Sequence, residues 1–235
     1  MSTVFRLVLR SQLTPGRLVG MGVLGLLAVA IAASIAVADP SEGRLAAGID
    51  LIDAFGLTLL VPVGTLVFAA PALGEPSEEG TLVYMWMRPI ARWRIAAGAL
   101  AATLVAALPL VVVPLVVAAA VVGGGPELVV ATGVAASAGV VAYAGVFVGL
   151  GLRVRRALVW GLAYVLVWEG FVATAGATPA RLAVRSYTRT LLTRIADGPA
   201  GLAQVSLGAA VVVPVMVAFV ALVWTSRRLA VQEVA

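Results

Sequence analysis

The chain offers few side chains for chemistry. All sixteen basic residues are arginine, eleven residues are acidic, and histidine, cysteine and lysine are absent. Without histidine there is no imidazole base and no histidine ligand for zinc, which closes Ser–His and zinc hydrolysis. Without cysteine there are no disulfides, thiolate metal sites or cysteine nucleophiles. A P-loop needs a lysine on the phosphates, so the chain does not hydrolyse ATP by that route. Carboxylates and guanidinium groups remain. Asp50 and Asp53 are spaced to share one helix face, as an aspartyl dyad would require. A solvated helix start, with acids at the positive end of the dipole, explains them more simply. Glu169 lies well inside an apolar run, after Trp168 and before Gly170. Two readings stay open for it: a substrate contact or proton-linked gate, or a hydrogen-bonded packing residue near a helix break. Arg181, Arg185 and Arg189 recur every four residues.

The densest polar stretch runs from Glu75 to Arg94 and holds Glu75, Glu78, Glu79, Arg88, Arg92 and Arg94, with Pro76, Pro89, Trp86 and Trp93. Charges flanked by tryptophans belong at a membrane–water boundary. Nearly everything around the stretch is apolar: the 235 residues are 62% hydrophobic and 11% charged, with mean hydropathy +1.11. Such a composition leaves too little charge to cover a soluble surface. It predicts an all-α integral membrane protein forming one domain over residues 1–235.

Six apolar runs are expected to be spans, approximately 18–38, 54–73, 95–122, 128–150, 157–177 and 202–225. At 1.5 Å per residue, about twenty residues cross the roughly 30 Å hydrocarbon layer. Pro109 and Pro114 predict a kink in the third run. Gly123-Gly124-Gly125-Pro126 predicts a tight turn, and the glycines and alanines of the fourth run predict close helix packing. The first run reads as a retained helix and not a removed signal. Before it, Phe5, Val8 and Leu9 set against Arg6 and Arg10 suit an interfacial helix broken at Thr14-Pro15-Gly16. Between the last two runs, Arg181, Arg185 and Arg189 alternate with Leu182, Leu191, Leu192 and Ile195. That pattern predicts a short outer helix or a re-entrant hairpin. With the amino terminus inside, the inner segments hold eleven arginines and the outer ones five, so both termini are expected in the cytoplasm of a cell (plasma) membrane protein. The alanine- and valine-rich, lysine-free composition points to a bacterium.

Glu78-Glu79-Gly80-Thr81-Leu82, then Met87-Arg88-Pro89-Ile90-Ala91-Arg92-Trp93, resembles the first cytoplasmic loop of ABC-2-type (type V exporter-like) ABC transporter permeases. There an acidic pair precedes Gly-Thr and a short helix, and a proline-containing link leads into the next span. Glu79 departs from the family pattern, in which arginine or lysine is more usual at this turn. The six-span layout, the interfacial helix, the outer element before the last span and Trp168-Glu169 resemble the family as well. The resemblance implies a permease subunit, paired with a second one, identical or related, around a translocation pathway. It has no ATPase motif and no cofactor of its own; ATP and Mg would sit in separate ATPase subunits. Residues from Glu78 to Met87 would form the coupling helix. Glu78 and Glu79 suit its positive end and Gly80 its turn at Thr81. Leu82, Val83 and Trp86 make an apolar ridge, and Arg88 and Arg92 are set to pair with acids.

The alternative is a proton-coupled secondary transporter using Glu169; a third class is a membrane-embedded interaction or immunity protein. The apolar spans suit a hydrophobic or amphipathic cargo, and the outer arginines suit anionic headgroups or an anionic cargo. Lipids are expected partners and nucleic acid is not.

Overall fold

The computed structural model describes residues 2–38, 43–78, 91–172, 177–198 and 205–231, which are helices and their connections without a strand among them. The amphipathic start is α1 (Ser2–Gln12), separated by Leu13-Thr14 from α2 (Pro15–Ala38). Next comes one helical rod made of α3 (Arg44–Leu51), a π-helical stretch (Ile52–Leu60) and α4 (Val61–Glu78). A second rod is α5 (Arg92–Ala107), a π-helical turn (Leu108–Val112) and α6 (Val113–Val122); α7 (Pro126–Arg153) follows. Then come α8 (Ala157–Ala163) with its π-helical end (Tyr164–Glu169), α9 (Ala177–Ala180), α10 (Val184–Ile195) and α11 (Leu207–Val231).

Among the described residues, five helices are long and apolar enough to cross a membrane: Pro15–Ala38, Arg44–Pro76, Arg92–Val122, Pro126–Arg153 and Leu207–Ala230. They correspond to the first, second, third, fourth and sixth predicted runs, the sixth beginning at Leu207 and not at residue 202. The second begins at Arg44 and not at residue 54, so Asp53 lies within a helix and not at its start. Among its described residues, the fifth predicted run gives the apolar helix Ala157–Glu169. At 1.5 Å per residue that is roughly 20 Å, short of the hydrocarbon thickness.

The proline expected to kink the third run widens it, since Pro109 lies in the π-helical turn Leu108–Val112. Pro62 follows the other long π stretch, whose end is fixed by Val61 N–H donating to the Gly56 carbonyl. A proline cannot donate to the carbonyl four residues back, and a shift to five-residue spacing takes up the lost register. The predicted turn after α6 forms with Gly123 and Gly125 at φ +76° and +97°, and α7 starts on Pro126.

Helix α7 is the centre of the bundle, packed against α4, α10 and α11. Its small residues allow the approach: a Cβ on Gly145 would sit 2.7 Å from the Ala218 Cα of α11, and one on Gly151 would run into the Ala70 carbonyl of α4. Helix α1 packs on α5 through Val4 and Val8. One turn beyond Val8, Gln12 is fully buried and donates through Nε2 to the Phe68 carbonyl and to Thr103 Oγ1, each at 2.9 Å. The amphipathic segment is thus tied into the bundle by a buried amide as well as by its apolar face. Helices α2, α8 and α11 leave wide apolar faces exposed, including Leu26, Trp160, Val167, Met216 and Phe219. A multi-pass membrane protein has such faces against lipid.

Candidate functional site

The most polar part of the interior lies where α8 ends and α10 begins. Helix α10 starts after Ala183, which cannot cap the first N–H groups with its own side chain, and none of its neighbours does so. Glu169 does it instead. Its Oε1 accepts from the Val184 N–H at 3.1 Å, and its Oε2 accepts from the Arg185 N–H at 3.2 Å. Tyr164 Oη donates to Oε1 at 3.1 Å. The carboxylate is 1% exposed and sits at the positive end of the α10 dipole. Beneath it, buried Tyr143 stacks on Phe147 with centroids 5.6 Å apart, and Phe147 meets Tyr164 edge-on.

The flank of α10 is fixed by a second acid. Arg185 Nη2 donates to Asp53 Oδ2 at 3.1 Å, and Arg189 Nε lies 3.1 Å from the same oxygen. Asp53 is buried in the π-helical stretch and faces two guanidinium groups, so the reading of it as a solvated helix start is corrected. Asp50 is exposed and shares none of these contacts. The two aspartates do not form a dyad: a partner element packed over Asp53 removes it from solvent. Arg185 and Arg189 pair with Asp53 while 18% and 25% of their side chains stay exposed. Arg181 lies in the turn before α10 and is exposed.

Helix α10 packs lengthwise against the bundle and does not lie across its end. Its first residues meet Glu169, Thr188 lies against Gly139 at the middle of α7, and beyond its end Gly198 lies against Ile49 of α3. The helix therefore runs from about half the height of the bundle to the end where α3 begins. Glu169 joins the end of one short helix to the start of another, and Asp53 pins the second to the long rod. This arrangement binds and orients. Among the described residues there is no group of three or more acidic side chains that could hold a metal ion.

At the opposite end of the bundle, Arg17 pairs with Glu75, with 19% and 47% of the side chains exposed. Glu78 Oε1 accepts from the Arg156 N–H at 2.7 Å, tying the end of α4 to the start of α8. Arg92 opens α5, and the Arg94 guanidinium lies 5.5 Å from the centre of the Trp93 ring. The remaining residues of the expected coupling segment, Glu79, Gly80, Thr81, Leu82, Val83, Trp86 and Arg88, lie outside the described residues. No protein-family model and no curated protein matches the sequence.

Asp53, Gln12, Tyr143 and Tyr164 were not singled out in the sequence as working together. Gln12 carried a usable signal, falling four residues after Val8 and eight after Val4 on the buried side of α1. Nothing local marked the two tyrosines.

Proposed function

We propose that the chain is the membrane-spanning permease subunit of an ATP-driven ABC-2-type exporter. Two such subunits, identical or related, form the pathway, and separate ATPase subunits bind at the cytoplasmic side. The observation that carries this reading is the order of elements. An amphipathic helix tied to the bundle precedes the long apolar helices, and a half-length helix joined to a second short helix precedes the last one. That is the layout of the family the polar stretch resembles.

In this reading there are six crossings, and the fifth is made of two halves, α8 and α10, joined at Glu169. Discontinuous crossings of this kind are satisfied by buried polar partners at the break. Both termini then lie on the cytoplasmic side, with Glu75, Glu78 and Arg92 facing the ATPase. ATP-driven closure of the ATPase pair biases the permease between states through the segment from Glu78 to Met87, because a partner shifts an equilibrium only by its differential affinity. The proton-coupled alternative gains no observation of its own, since Glu169 accepts two backbone N–H groups at the start of α10 and the Tyr164 hydroxyl among the described residues.

The test is coupling. With the cognate ATPase present, Gly80→Pro and Trp86→Ala are expected to leave ATP hydrolysis running while transport falls, at unchanged membrane abundance. Normal transport by both variants contradicts the reading.

A further inference from the structure

Arg181 stands apart from the arginines that Asp53 holds. It is exposed, and its guanidinium has no hydrogen-bond or ion-pair partner among the described residues; only its carbonyl is engaged, accepting from Tyr187 Oη at 2.6 Å. Beside it is a hollow of about 200 Å³ between the start of α10 and α11, walled by Leu182, Val184, Tyr187, Val213, Pro214 and Val217. The level of this hollow follows from its neighbours. Val184 is bonded to Glu169, Thr188 lies against Gly139 at mid-α7, and Ala218, next to Val217, lies against Gly145. Around it, α11 exposes Val215, Met216 and Phe219. An unpaired guanidinium at this depth among apolar faces is costly, and such groups are found paired or wetted.

We infer that Arg181 and the adjoining hollow form a binding site for an anionic amphiphile, an acid group on an acyl chain. The acid pairs with the guanidinium, whose planar fork matches a carboxylate or phosphate in two parallel hydrogen bonds. The near part of the chain enters between α10 and α11. The lining supports an acyl chain, because apart from Arg181 it is almost wholly apolar. The inference deepens the permease reading by naming a class of cargo or bound lipid for it.

Binding is measured on the full chain in zwitterionic nanodiscs, with no ATPase present, using labelled palmitate and its neutral methyl ester. Palmitate is expected to bind about tenfold tighter or more, the factor that one hydrogen bond to a charged group supplies. Arg181→Gln brings palmitate down to the level of the ester without moving thermal unfolding, and Val217→Trp weakens both. Equal binding of acid and ester, or an acid preference that survives Arg181→Gln, overturns the site. Adding phosphatidylglycerol separates the two sources of this chemistry: displacement of palmitate assigns the site to a bilayer lipid, and no displacement assigns it to a free amphiphile. A chain that binds palmitate in this way yet recruits no ATPase keeps the site and loses the permease reading.

Discussion

At the end of the bundle that holds α10, Asp53 faces two guanidinium groups with 8% of its side chain exposed, whereas the Arg17–Glu75 pair at the α1 end leaves 19% and 47% exposed. Glu169 is equally enclosed, while the Glu78 contact to Arg156 is open to solvent. Exposed pairs in high dielectric break and re-form at little cost, but a buried charge that loses its partner is strongly destabilised. The α10 end is therefore a fixed clasp. At the α1 end the charged contacts yield, while the helices beneath them pack closely through Gly151 on Ala70. Under the proposed permease reading, that asymmetry would serve a segment that moves with the ATPase and a far end that keeps its shape.

The largest effect is expected at Asp53. Asp53→Ala leaves Arg185 and Arg189 without their counter-charge and should cost about 3–5 kcal/mol. Thermal unfolding in detergent, followed by tryptophan fluorescence, would show a large fall in Tm. An unchanged Tm would mean that the clasp does not hold α10. Glu169→Gln should cost less, about 1–3 kcal/mol, because the amide offers one acceptor oxygen where two backbone N–H groups now each have one. The local consequence is faster hydrogen exchange at Val184 and Arg185; unaltered protection there would remove Glu169 as the cap. Smallest is Glu75→Gln, within about 1 kcal/mol and fading as salt rises. A loss as large as that of Asp53→Ala would erase the difference between the two ends.

Most of the fold was legible because it follows from apolar length. The runs around 18–38, 95–122 and 128–150 lie within α2, α5–α6 and α7, and the glycine turn before Pro126 stands where its dihedral freedom is needed. The shortening of the fifth run was hidden, since Phe171 and Val172 continue its apolar character past Glu169 and hydropathy does not register what the carboxylate accepts. The partners of Asp53 were hidden for a different reason. Arg185 is 132 residues away, and no periodicity within one segment reports which element another brings to its side. The four-residue spacing of Arg185 and Arg189 did mark a helix face. Whether that face met solvent, lipid or an acid depended on tertiary packing. The Glu78–Met87 segment stands out by its residue types and its likeness to a family loop, and among its residues Glu78 alone is described in the fold.

Affinity purification of the chain from native membranes in mild detergent decides whether it is a permease subunit. A P-loop ATPase is expected to come with it at near-equal stoichiometry, and Trp86→Ala or Glu79→Arg should release that ATPase while the membrane bundle stays folded. A chain that purifies alone with its bundle intact would contradict the assignment as a permease subunit.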